Sequence, residues 1–450
     1  MIPFVHGLRY ADLPPDVVAQ AKRCLLDLVG VAAAGLRTDL SRIVRGYAHR
    51  HLGAGEGGAR ILFDGRRASP AGAAFAGAST LDAFDAHDGH ALTKGHAGVA
   101  ILPALLAAAD GARLDGREFL TALVLGYEVS TRAGIALHAS ACDYHTSGAW
   151  NALGCAAVTA RILGLDPART RHALGIAEYH GPRSQMMRCI DHPTMVKDGS
   201  GWGTLAGVSA AHLAADGFTG APAITTEAEE HRALWDDLGA RWRIREQYLK
   251  PQPVCRWAQP AIEAAVALAA RHCIPPERIA RVRIATFAAA VRLGTRPPAT
   301  TEEAQYALGF PVAAALARGR LGAAEVTEGL RDPRVLGLLA RIAVEEEPAF
   351  TARFPAERLA VVTIEREDGA VFASGPTAAR GDPDSPLSDA EVAEKFRLLA
   401  EDLGPARRRR IEDAVAGLET DGALAALLEA VLAPVEARPL AADPAVLATA

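Results

Sequence analysis

Aromatic residues make up only 5% of this 450-residue chain, although half of it is hydrophobic. A core with so few rings is built from small aliphatic side chains, and the abundance of Ala and Leu favours helix over strand. Cysteine is equally sparse. Its six copies (Cys24, Cys142, Cys155, Cys189, Cys255, Cys273) form no CxxC pair, which excludes a disulfide framework or a cysteine-ligated cluster and predicts a reduced, cytoplasmic protein. No apolar run approaches the roughly 18 residues of a membrane span, so no membrane segment is expected. The opening MIPFVHGLRYADLPPD lacks the basic-then-apolar order of a signal peptide. Charge of one sign is missing too: 48 Lys+Arg against 53 Asp+Glu leaves −5, with a pI near 6.3 and mean hydropathy +0.09. That balance offers no nucleic-acid surface. The basic run at 406–410 (ARRRR) precedes a helical pattern and reads as a solvated face.

At this length two domains are the expectation. The first 245 residues read as successive helices, starting where Pro14-Pro15-Asp16 precedes a face of Val18, Ala21, Leu25, Leu28 and Val29. The same period continues over 115–137, 150–163, 167–179 and 203–215, with Gly164 and Gly217 at helix ends. After Lys250 the pattern changes. Residues 279–287 (IARVRIATF) largely alternate apolar and polar, and 359–364 and 370–373 flank Asp368-Gly369, a hairpin signal. Helical segments are expected between them, near 300–317 and 325–342. A loop rich in Asp and Pro at 381–386 ends this part, and Ser388-Asp389-Ala390-Glu391 opens a final helical region as a capping box. The fold class is therefore mainly α: a large all-α helical domain from residues 1–245 plus 386–450, and a smaller α+β domain of residues 246–385.

The densest chemistry lies at 81–109, LDAFDAHDGHALTKGHAGVAILPALLAAA, where Asp82, Asp85, His87, Asp88, His90, Lys94 and His96 precede an apolar helix. Such a loop on a rigid element suits acid–base work and substrate binding. Asp85, His87 and His90 could instead ligate a divalent metal, although the spacing matches no strong template. His96, just ahead of the helix, stands where anions bind well. Three further segments add to it. Tyr144-His145-Thr146-Ser147 leads into a helix, either as a proton-transfer site or as simple caps. Lys197 precedes the glycine-rich 199–203 without the order of a phosphate loop, and reads as a carboxylate-binding cation or a solvated turn. Lys250-Pro251-Gln252-Pro253-Val254-Cys255-Arg256 offers two cations at the expected domain junction, or only a hinge.

These four segments, in this order, resemble the MmgE/PrpD family, which includes 2-methylcitrate dehydratases, cis-aconitate decarboxylases and iminodisuccinate epimerases. Gln305-Tyr306 followed by Phe310-Pro311-Val312 resembles a later helix of the family. The resemblance spans nearly the whole chain. It implies that the α+β part is a lid, that the chain forms a homodimer, and that the site lies between the domains and needs no metal or other cofactor. By position it implies catalytic roles for Asp85, His96, His145 and Lys197, and makes Lys250 the lid lysine. Asp88, His90, Tyr144 and Arg256 join Lys250 as expected substrate-binding residues. The chain also departs from the pattern: the family's hydroxyl position is Gly89, one of its aspartates has become His87, its tyrosine is Phe310, and a common lid histidine is replaced at Gln259.

The family's reactions share charge build-up on carbon beside a carboxylate, which calls for preorganised cations and a histidine near neutral pH. The expectation is a cofactor-independent lyase, a dehydratase of a small di- or tricarboxylic acid such as 2-methylcitrate. A decarboxylase or epimerase of a related acid is the alternative, and a metal-dependent hydrolase using Asp85, His87 and His90 is another.

Overall fold

Helices placed by identifiable caps make up most of the computed structural model, which describes residues 1–55 and 57–435. The Pro15–Gly35 helix starts on the expected proline and buries Val18, Ala21, Leu25, Leu28 and Val29. Asp115 and Asp166 cap the Gly116–Ser140 and Pro167–His180 helices, each side chain accepting the N–H three residues on. At the centre, the Gly148–Ile162 helix packs against Gly98–Ala109, Gly116–Ser140, Pro167–His180 and Ser200–Ala215. Backbones approach closely there. A Cβ on Gly207 would lie 2.3 Å from the Ala152 carbonyl oxygen, and one on Gly154 would overlap the Ser130 hydroxyl. Glycine is the residue that tolerates such proximity.

Two short antiparallel pairs accompany this bundle: the local β1 (Ala59–Arg60) with β2 (Arg67–Ala68), and the long-range β3 (Gly89–His90) with β4 (Gln247–Tyr248). The larger sheet comprises β5 (Ile279–Thr286), β6 (Ile342–Glu346), β7 (Leu359–Arg366), β8 (Val371–Ala373) and β9 (Thr377–Ala378). Its order is β6-β5-β7-β8, with β9 also on β7; β5 runs parallel to β6 and antiparallel to β7. The chain therefore combines predominant helix with limited sheet, as composition implied. The final helices return to the beginning. Asp389–Leu399, opened by the Ser388/Glu391 capping box, packs on Pro15–Gly35, and Phe396 lies against Gly30.

Three local expectations are corrected. Residues 325–342 do not form one helix: Asp332 caps a new start at Pro333, the Pro333–Leu339 helix follows, and β6 pairs with β5. The 300–317 segment is broken into Thr301–Gln305 and Gly309–Arg318, which frees Tyr306 from helical register. The 406–410 run is not merely solvated. Arg407 lies over the Phe63 ring and donates to the carbonyls of Ala430 (2.7 Å) and Ala433 (2.6 Å), closing the end of the Ala423–Leu432 helix. Among the described residues, no helix is long and apolar enough to cross a membrane.

Candidate active site

The Asp/His loop joins two apolar helices, Pro70–Asp82 and Gly98–Ala109, and is pulled inside with them. Asp82, Asp85, His87, Asp88, His90 and His96 are all buried. The β3–β4 pairing fixes the loop against the segment that leads to Lys250, opposing Gly89 to Tyr248 and His90 to Gln247. A Cβ on Gly89 would lie 2.4 Å from the Tyr248 ring and 2.8 Å from His96 Nδ1. The tyrosine therefore occupies the space that a hydroxyl-bearing side chain at position 89 would need.

Three helix starts converge here, and each is already met by an internal carboxylate. Asp88 Oδ1 accepts from the Gly98 N–H (3.3 Å), and its other oxygen accepts from the Tyr127 hydroxyl. Asp198 Oδ1 accepts from the Ser147 N–H (3.2 Å), and Asp82 Oδ2 from the Ser200 N–H (3.3 Å). A helix N-terminus carries partial positive charge that favours an anion; here the protein supplies it. Ser147 is consequently free for another task, and its hydroxyl accepts the His96 N–H at 2.9 Å.

Cations stand around the loop. Lys250 Nζ pairs with Asp85 Oδ1 and donates to the Asp85 carbonyl at 3.2 Å. Lys197 Nζ donates to Gln305 Oε1 (2.7 Å), the oxygen that also accepts the Asp85 N–H (2.8 Å), and lies 4.7 Å from the Tyr306 ring centroid. A cavity opens beside them. Its polar lining includes Asp85, Lys94, His96, Tyr144, Tyr248, Arg256, Tyr306 and Arg358; Met186, Ile190, Trp257 and Phe354 are its apolar lining. Lys94 and Lys197 both hold left-handed backbone at φ 49° and 48°, a cost of about 1–3 kcal/mol that tends to collect at functional sites.

Burial pushes the Asp85 carboxyl up, but Lys250, with His96, His87 and Lys197 behind it, outweighs burial and holds the group well below the usual carboxylate range. Lys250 is pulled down by burial and raised overall by Asp85 and Tyr248. Burial, then the charges of Lys250 and His87, hold the His96 ring well below the usual histidine range against the pull of Asp85. His96 Nδ1 lies 2.5 Å from the Asp88 carbonyl, which can only accept. That contact leaves Nε2, 3.8 Å from Asp85 Oδ1, as the nitrogen able to take a proton. Burial raises the hydroxyls of Tyr144, Tyr248 and Tyr306, keeping them as neutral donors. Burial and then neighbouring Asp82 push Asp198 up to about 8.

Of the expected residues, Asp85, His96, Tyr144 and Arg256 line the cavity. Lys197 and Lys250 lie buried beside it through the contacts above. Asp88 serves the helix start and Tyr127, with its carboxyl pushed up to about 6 by burial. His90 Nε2 lies 3.0 Å from Glu246 Oε2 and braces β3–β4. His145 is only half-buried; its N–H donates to His138 Nε2 (3.2 Å) and its ring stacks near that ring at 6.4 Å, outside the cavity wall. Arg256 lies 4.8 Å from the Tyr248 ring centroid and pairs with Asp382 Oδ2 at 2.6 Å. Sequence reasoning passed over Lys94 as a site residue and gave no role to Arg358 or Tyr306. Lys94 stood in the motif itself; the break after Gln305 that presents Tyr306 was visible only in the folded chain.

Among the described residues, the group that could hold a metal is Asp85, His87 and His96, whose donor atoms lie within 4.8 Å of one another. His90, part of the expected trio, is turned to Glu246 instead. The Lys250 ammonium already sits on Asp85 Oδ1, so a divalent ion there would have to displace it.

The fold and the site together define a mainly helical protein with a pocket lined by Lys94, Arg256 and Arg358. The MmgE/PrpD N-terminal domain matches residues 1–233 and the MmgE/PrpD C-terminal domain residues 253–420; the chain belongs to this family. The cis-aconitate decarboxylase-like protein oryM of Aspergillus oryzae is 25% identical, over 94% of this chain and 95% of that protein. A cis-aconitate decarboxylase of Aspergillus terreus is 24% identical over 96% and 95%. That of Mus musculus is 26% identical over 88% and 85%.

Proposed function

We propose that the protein is a cofactor-independent lyase of a small di- or tricarboxylic acid. The observation that carries this reading is the placement of His96, with one ring nitrogen committed to a carbonyl and the other free, in a cavity that also holds Lys94, Arg256 and Arg358. In the dehydratase form His96 Nε2 removes a proton from the carbon beside a carboxylate. The electron pair forms the C=C bond as hydroxide leaves from the neighbouring carbon, taking a proton from a tyrosine hydroxyl such as that of Tyr306. The cations hold the carboxylates and stabilise the charge that develops. Lys197 and Lys250 act from behind, through Gln305 and Asp85. The apolar side formed by Met186, Ile190, Trp257 and Phe354 supports an acid that carries a short hydrocarbon arm. Residues 246–385 act as a lid, a reading supported by Arg256 and Arg358, which belong to that part and line the same cavity as Lys94 and His96.

Decarboxylation is the second reading, and it rests on the names of the relatives. There the C–C bond to a carboxylate breaks, carbon dioxide leaves, and the resulting carbanion takes a proton from a residue of the site. Purified protein offered 2-methylcitrate, citrate, cis-aconitate and iminodisuccinate, with water loss, carbon dioxide and isomers followed by mass spectrometry, decides between these. Turnover of at least one acid is expected, unchanged by a chelator because Lys250 occupies Asp85. A folded protein inert on all four overturns the proposal.

A further inference from the structure

His87 is the least explained group of the site. Its side chain is fully buried and does not line the cavity, and it stands where the family pattern has an aspartate. Its ring centroid lies 4.3 Å from that of His96, edge to face at 73°. Nε2 lies 3.4 Å from Asp82 Oδ1, within ion-pair distance, and neither atom has a hydrogen-bond partner among the described residues. Nδ1 faces the Asp88 carbonyl at 3.5 Å. The Asp82 carboxylate and the Asp88 carbonyl therefore stand near opposite ring nitrogens, and a neutral imidazole has only one N–H to offer. His96 has the opposite arrangement, one nitrogen on a carbonyl and the other open.

We propose that His87, braced by Asp82, is a positioning residue for His96: it holds a positive charge at the edge of the His96 ring, so that His96 enters the reaction as the free base. The charged groups around the pair fit this division. Asp85 and Asp88 lie on the same loop, and Asp85 is neutralised by Lys250 from the segment after β4. Asp27, on the Pro15–Gly35 helix, is paired with Lys395 of the Asp389–Leu399 helix at 2.6 Å. Asp198, ahead of the Ser200–Ala215 helix, is held toward its neutral form by burial and Asp82. Asp82 is thus the acceptor left to His87 Nε2. The lowered proton affinity of His96, to which burial, Lys250 and His87 contribute in that order, agrees in direction.

The proposal rests on the lyase reading for its purpose, but its test does not. Ring-labelled histidine NMR on the free protein follows the His96 titration midpoint in wild type, H87Q, H87K and D82N, with folding checked by circular dichroism. In H87Q the midpoint rises by about one pH unit, while H87K, which keeps the charge, stays near wild type. In D82N His87 loses its counter-charge and with it its proton, so the His96 midpoint rises as it does in H87Q. D82N gives the answer should H87Q not fold. An unchanged His96 midpoint in folded H87Q or D82N overturns the proposal. If an acid is turned over, the acidic limb of kcat/KM moves with the midpoint. A protein inert on every acid but with a shifted His96 sinks the lyase reading and leaves the pairing intact.

Discussion

Lys250 and Asp85 meet where both are buried, and that makes their partnership the most consequential side-chain contact of the site. Removing one member of a buried pair leaves an uncompensated charge, at a cost of about 3–5 kcal/mol. Lys250→Met is therefore expected to lower unfolding free energy by that order in a denaturant titration, and to raise the Asp85 carboxyl. Position 89 gives a second test. Gly89→Thr restores the hydroxyl that the family pattern leads one to expect, yet a Cβ there meets Tyr248 and His96. Turnover is expected to drop about tenfold or more, since small misplacements of reacting groups are costly; wild-type kcat/KM in G89T would contradict the geometry. The residue types of the site were legible from the Asp/His motif and the KPxPxCR block. The uses of the carboxylates were not, because a sequence does not say that Asp82, Asp88 and Asp198 will each meet a helix start.

The short β3–β4 ladder is the element that ties the Asp/His loop to the cationic segment. Its outer brace is Glu246, which His90, Arg241 and Arg243 contact at 3.0, 2.6 and 2.9 Å. Burial pushes that carboxyl up, but these partners prevail and hold it near about 2, below its ordinary 4.5. A depressed folded value means that the stabilisation is complete above pH 4.5 and is lost as pH falls toward 2. Exchange of the β3–β4 amides, taken relative to the intrinsic amide rate at each pH, should therefore accelerate on acidification in wild type. In E246Q it should be faster at neutral pH and flatter in acid; identical profiles would count against the brace. Helices with a cap and a steady period were legible in the sequence. The β6 strand was not, because its pairing with β5 depends on a distant partner rather than on its own IAVEE pattern.

Across the whole molecule, the two ends of the described chain hold the site from behind. Lys395 Nζ donates to the Ala86 carbonyl at 2.7 Å and pairs with Asp27 at 2.6 Å. Asp27→Ala strands the lysine charge and is expected to destabilise the protein strongly in thermal unfolding. The double change Asp27→Leu with Lys395→Met keeps a packed interior and is expected to recover most of that stability, while kcat falls because the Ala86 carbonyl has lost its anchor. Recovery of both stability and kcat would deny the anchor a role. The return of the tail was foreseeable from its capping box; its reach into the site was not. The internal capping of the three converging helix starts carries one more consequence. These three fixed anion-binding positions are already satisfied by the protein itself, so the acid proposed as substrate would be gripped by side chains that rotate and that a single codon replaces. Substrate range on this scaffold can therefore drift through a few lysine, arginine and tyrosine positions while the backbone that holds His96 stays as it is.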